Sequence, residues 1–211
     1  MGKATPPPSK GTGHDAADTH HRATPLPPCR PAALARMMLR LEANPSLDAG
    51  AAALEPLADA LVSRPAVRRL LQGRALGHAL HPLLTDVPIG AWLSATVLDL
   101  TGGEASRQAA QRLVGVGILA ALPTAVTGLA EWASTDGGAR RVGVAHALSS
   151  SLALALCTAS WQARRRDRHT TGQQLSLAAG AVVALSGYLG GHLAVARKVG
   201  TRDPALSGTA A

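Results

Sequence analysis

The stretch LVGVGILAALPTAVTGLA, residues 113–130, runs for eighteen residues without a charge, and it decides the fold class. A helix of about 17–25 such residues, rising about 1.5 Å per residue, crosses the hydrocarbon layer of a bilayer. Three more stretches match it. LLTDVPIGAWLSATVLDL, residues 83–100, is interrupted only by Asp86 and Asp99. VGVAHALSSSLALALCTASWQA, residues 142–163, is framed by Arg140-Arg141 and Arg164-Arg165-Arg166, and a fourth span lies within the charge-free residues 170–196. The loops between them are short, so neighbouring spans run antiparallel. The expected fold is all-α: an integral membrane, up-down-up-down four-helix bundle occupying residues 76–200.

The spans are rich in Ala, Gly and Ser, with Gly187 and Gly191 four apart in the last. Small residues let helix backbones approach closely in lipid. Trp132 and Trp161, at opposite ends of the central hairpin, suit the two interfacial belts. Pro123 should kink the second span or free a carbonyl there.

The rest of the composition agrees. Of 211 residues, 46% are apolar and 16% charged, with three Trp, one Tyr and no Phe, whereas soluble cores lean on aromatics for buried area. Cys29 and Cys157 share no Cys-x-x-Cys spacing, which excludes a disulfide scaffold, a zinc knuckle and a cysteine-ligated iron–sulfur cluster. The net charge is +8, but the arginines of the second half sit between apolar runs. That is a membrane pattern and not a nucleic-acid stripe, so no nucleic-acid partner is expected.

Outside the spans, residues 1–30 are Pro-, Thr- and Gly-rich and read as a disordered tail, its His14, His20 and His21 solvated. No apolar run follows the start methionine, so no cleavable signal peptide is expected. Residues 201–211 read as a second disordered tail. Residues 31–75 read as short surface helices. Pro31 opens one, Leu54, Leu57 and Leu61 stripe another, and Ser63 caps a third that Pro65 begins and Gly73 stops. The third is basic and amphipathic, suited either to lying on headgroups or to a solvated linker.

Threading the four spans gathers polar residues from distant segments. One membrane face receives His78, His81 and Asp86 at the start of span one, then Glu131 and Asp136 at the end of span two. It also receives His146 at the start of span three and His192 at the end of span four. His146 lies five residues past Arg141 and His192 five before Arg197, so both sit about 7 Å inside the charged boundary. His78 and His81, three apart, can share one face of a helical turn, and Pro82 and Pro88 suggest a partly unwound start to span one. Ionisable residues inside a bilayer are expensive and point to function by default.

Three readings of this cluster stay open. A b-type haem would use His146 and His192 as axial ligands, with His81 or His78 as substitutes. Gly190 and Gly191 would then leave room for its plane, and Glu131 and Trp132 would support it. Against haem, the chain has no Phe to line a porphyrin. A divalent metal would draw on His78, His81, Asp86, His146 and His192. In the third reading no cofactor is bound and the cluster only ties helices together. The matching functions are a small redox component, a scaffold or anchor subunit, and, last, a transporter of metal or protons. Homo-oligomerisation is compatible with each. No nucleophile–base–acid arrangement stands out, so an enzyme is not expected.

LGHALHPLLTDVPIGAW (residues 76–92), TGLAEW (127–132), AHAL (145–148) and SGYLGGHL (186–193) together resemble a bacterial membrane family, domain-of-unknown-function family 2231. The resemblance covers about residues 50–200. Some relatives carry a Rieske iron–sulfur domain, which implies a link to membrane electron transfer. This chain lacks the Cys-x-His and Cys-x-x-His ligand pairs, so any iron–sulfur partner would be a separate protein. The resemblance implies the same positions, His78, His81, Asp86, Glu131, His146 and His192; Glu131 stands where an Asp is expected. It also implies the bacterial inner membrane. Nine basic residues on the face that carries the termini, against six on the other, favour both ends in the cytoplasm.

Overall fold

Backbone N–H and C=O groups find no water inside a bilayer, so charge-free stretches of this length bond internally as helices. A computed structural model describes residue 2 and residues 32–201. The tails read as disordered, His14, His20, His21 and the helix start at Pro31 lie outside the described residues, except that Thr201 pairs in a short antiparallel bridge with His78. Three short helices come first: α1 (Ala33–Glu42), α2 (Asp48–Val62) and α3 (Pro65–Leu71). Four spans follow: α4 (Leu80–Thr101), α5 (Arg107–Trp132), α6 (Gly137–Arg164) and α7 (His169–Gly191), the last running into a π-helical turn, His192–Ala196.

The spans form two hairpins, α4 with α5 and α6 with α7. Contacts of α5 with α6 and of α4 with α7 close the ring, leaving α4 and α6 diagonally opposite. The interior is small and the exterior large. Ala95, Ala110, Gly117, Ala153, Ala179 and Ser186 are buried, while Leu83, Leu93, Leu119, Leu152 and Leu185 face outward. A soluble bundle would reverse this; in lipid, the large apolar side chains are already in their preferred solvent, and small residues bring the backbones together.

The hairpins repeat one plan. Sixty-five residues separate His81 from His146 and also Asp99 from Arg164. In the second helix of each hairpin, every buried residue of α7 has a buried counterpart in α5 sixty-two positions earlier: Gly172 with Ala110, Ser176 with Val114, Ala179 with Gly117, Ser186 with Thr124 and Leu189 with Thr127. Both hairpins run the same way, as in parallel repeats related about the membrane normal.

Span one differs from expectation at its start, which is helical and not unwound. Pro82 occupies the first turn, where no N–H is needed. Pro88 lacks the N–H that would bond the Leu84 carbonyl, and the Thr124 hydroxyl on α5 donates to that carbonyl instead, at 3.2 Å. His78 precedes α4 and so does not share a helical face with His81.

The short helices cover one end of the bundle. Met38 of α1 is buried with Val142 and Leu189, and Ala51 and Ala58 of α2 pack on Trp132 and Val144. Ser63 does not cap α3; its hydroxyl closes α2 by donating to the Ala60 carbonyl at 2.8 Å. Gly73 does end the third helix. Its φ of +61° is left-handed, and a Cβ there would stand 2.5 Å from the His78 carbonyl oxygen.

Candidate functional site

Beneath this cap, His81 in the first turn of α4 reaches across to α5, where its Nδ1 lies 2.9 Å from the Thr124 carbonyl oxygen. His146 of α6 repeats the contact on α7, with Nδ1 2.9 Å from the Ser186 carbonyl oxygen. A carbonyl only accepts, so each Nδ1 carries the proton and each Nε2 keeps its lone pair. Four residues beyond each carbonyl stands a glycine against the ring. A Cβ on Gly128 would fall 2.8 Å from His81 Cε1, and one on Gly190 would fall 3.1 Å from His146 Cε1. The two rings meet across the diagonal with centroids 6.0 Å apart and planes at 82°. Ser150 and Ser186 extend the network through hydroxyls 2.6 Å apart.

The other expected residues go elsewhere. His192 places Nε2 2.7 Å from Glu42 Oε1 on α1 and makes no hydrogen bond or ring contact with His146. Glu42 also accepts from Arg197, and its main-chain oxygen takes Arg141 at 3.0 Å. His78 and Asp86 are exposed. Gly191 has open space where its Cβ would be, unlike Gly190. Glu131 is 5% exposed and lines a cleft of about 300 Å³ with Asp136, Arg197, Lys198 and Thr201. Trp132 is buried, donating Nε1–H to the Arg140 carbonyl at 3.0 Å under the Arg140 guanidinium. Among the described residues, no group of three or more His, Cys, Asp or Glu side chains stands together in a way that could hold a metal ion.

A haem held by His146 and His192 needs their rings opposed across its plane. Here His192 turns to Glu42, and the His146 ring itself fills the space left beside Gly190. His146 and His192 as placed do not oppose each other across such a plane.

The Glu42 clasp should weaken in acid. Its carboxyl is held below the ordinary value, first by the hydrogen bond from Arg197 and further by His192, against the opposing effect of burial. A carboxyl lowered in the fold contributes stability that is fully present above its unfolded value and lost as pH falls through the folded one. Amide exchange in α1 should therefore accelerate below about pH 4, and Glu42→Gln should exchange fast at all pH.

A second polar cluster, at the opposite end, escaped the sequence reading. Arg164 is 1% exposed and forks onto Asp99, Nη1 to Oδ1 at 2.8 Å and Nη2 to Oδ2 at 2.5 Å. Ser160 and Ser176 accept from the same guanidinium at 3.2 Å each. The available signal was spacing: Asp99 and Arg164 each stand eighteen residues after a histidine, His81 and His146.

Residues 77–203, all four spans included, match the family model DUF2231, described as a predicted membrane protein. The chain belongs to the DUF2231 family. No curated protein and no solved structure matches it. Within this DUF2231 chain, both imidazoles and the Asp99–Arg164 pair fall in the matched region, whereas α1, α2 and α3 precede it.

Proposed function

We propose that the protein is a metal-binding component of the bacterial inner membrane, both ends in the cytoplasm, with His81 and His146 as its ligands. One observation carries this reading: two imidazoles in matching seats come into edge contact across the diagonal beneath the cap, each with Nδ1 bound to a main-chain carbonyl. That outer bond is the usual support of a ligating histidine, because it sets the tautomer and leaves Nε2 to donate its lone pair. The remaining polar contacts hold the helices that present the pair. Glu42 ties α1 to His192 and Arg197, and Asp99 ties α4 to Arg164 on α6.

A second reading has its own support, since His192, Asp99 and Arg164 are all engaged in joining helices. In it the whole cluster, His81 and His146 included, is structural and the chain is a scaffold or anchor subunit. Elemental analysis and an absorption spectrum of the full chain, purified in detergent from metal-replete cells, separate the two. The metal reading expects near-stoichiometric metal in the wild type and in His192→Asn, and none in His81→Asn or His146→Asn. Metal-free wild type that loses only thermal stability on those substitutions would favour the scaffold. A Soret band removed by His146→Asn would return the haem reading.

A further inference from the structure

We infer that α3 and the turn after it, residues 64–76, form a docking surface for anionic phospholipid headgroups, with lipid phosphates held on Arg64, Arg68, Arg69 and Arg74. Charge complementarity selects the partner. Residues 60–85 hold these four arginines and no Asp or Glu. Elsewhere, Arg107, Arg140, Arg141, Arg164 and Arg197 each pair with a carboxylate. Among the described residues, none of the four arginines of α3 and its turn does. Arg69 and Arg74 donate within their own segment, to the Pro65 carbonyl and to Gln72 Oε1, each at 3.4 Å, and all four side chains stay exposed. A guanidinium is a planar fork that grips a phosphate through two N–H···O bonds, and every basic residue of this surface is an arginine.

Position selects lipid over a ligand free in water. Gln72, which closes α3, is fully buried and donates Nε2–H to the Ala130 carbonyl and to the Ser134 hydroxyl, both at 2.8 Å. These acceptors stand where α5 ends, beside Trp132 with the Arg140 guanidinium over its ring. An indole and a guanidinium at the end of a span mark the hydrocarbon boundary, so α3 is clamped at headgroup level. The clamp is stiff. Gly73 and Gly77 take φ of +61° and +77° as the chain turns towards α4. Two large apolar side chains accompany the arginines, Leu70 at 71% exposed and Leu76 at 51%. Water offers them nothing. At the boundary both enter the acyl edge while the guanidiniums stay among the phosphates, as in amphipathic helices that lie in the interface.

The test is amide hydrogen exchange of the full chain in nanodiscs of phosphatidylcholine alone, or of phosphatidylcholine with phosphatidylglycerol mixed in. Amides of α3 and its turn should exchange roughly tenfold more slowly when the anionic lipid is present, since each arginine near a charged lipid surface adds to the attraction. Amides of α6 and α7 should exchange alike in both discs, and raising the salt should narrow the difference at α3. The variant replaces all four arginines, Arg64→Gln, Arg68→Gln, Arg69→Gln and Arg74→Gln. It should exchange at the same rate in both discs, with α6 and α7 as protected as in the wild type, which shows that the bundle is folded. Equal exchange of wild-type α3 in the two discs, or a phosphatidylglycerol effect that survives in the variant, overturns the inference. Inorganic phosphate added to the phosphatidylcholine discs should leave α3 unchanged; protection by it equal to that of phosphatidylglycerol overturns the lipid as partner.

Discussion

Asp99→Ala lowers the stability of the bundle by about 3–5 kcal/mol, the largest loss expected of any single substitution in this chain. The reason lies less in the lost attraction than in what remains. Arg164 is 1% exposed, and without Asp99 its guanidinium keeps only the hydroxyls of Ser160 and Ser176. A charge left in a low-dielectric interior has neither water nor counter-ion to offset its desolvation. Exposed pairs set the contrast. Arg107 and Glu104 lie 2.8 Å apart, but their side chains are 42% and 81% exposed, so Glu104→Ala should cost less than about 1 kcal/mol. Removing both charges with Asp99→Leu and Arg164→Met should recover most of the loss, since apolar residues of similar volume often replace a buried pair without penalty. Equilibrium unfolding in mixed detergent micelles measures all four proteins. An Asp99→Ala variant as stable as the wild type would mean that the guanidinium reaches water.

Gly128→Val is the second large effect. Its Cβ would lie 2.8 Å from His81 Cε1 and 2.9 Å from Nδ1, and the ring cannot retreat without breaking its bond to the Thr124 carbonyl. Forcing added carbons into a filled site costs about 1–3 kcal/mol. Gly190→Val should lose less, because its Cβ would start 3.1 Å from His146. Gly180 and Gly187 have open space at the Cβ position, so alanine there meets no clash and should be neutral or stabilising by up to about 1 kcal/mol. The cause can be isolated. If the clash is with the imidazole, the costs of Gly128→Val and His81→Ala should be strongly non-additive, with the double variant recovering part of the loss. Simple addition of the two costs would place the strain elsewhere.

The four spans were legible because a run such as residues 113–130 has one physical solution in lipid, and charge marks its ends. Convergence of His81 and His146 on one end also followed from threading alone. Which imidazoles meet did not. Depth arithmetic aligned His146 with His192 on adjacent helices, but rotation about the helix axis, and not depth, sets side-chain contact. Rotation aims His192 at Glu42, on a helix that precedes every span. Gly128 and Gly190 seat the two rings so that His81 and His146 meet across the diagonal, and spacing along the chain does not specify that seat. In the sequence Asp99 only interrupts span one and Arg164 only frames span three; their pairing needs the fact that α4 and α6 stand across the bundle from each other. Ser63 carries a capping side chain at a capping position, but the backbone before Pro65 is extended at Arg64, so the hydroxyl turns back to α2.

Magic-angle-spinning NMR of the full chain in lipid, with only histidine isotopically labelled, addresses the placement of the pair most directly. Two imidazole spin systems should share an inter-ring cross-peak that disappears in His146→Asn and in His81→Asn and persists in His192→Asn. An inter-ring cross-peak that requires His192, or none among the spin systems of these three histidines, would contradict the paired-imidazole centre.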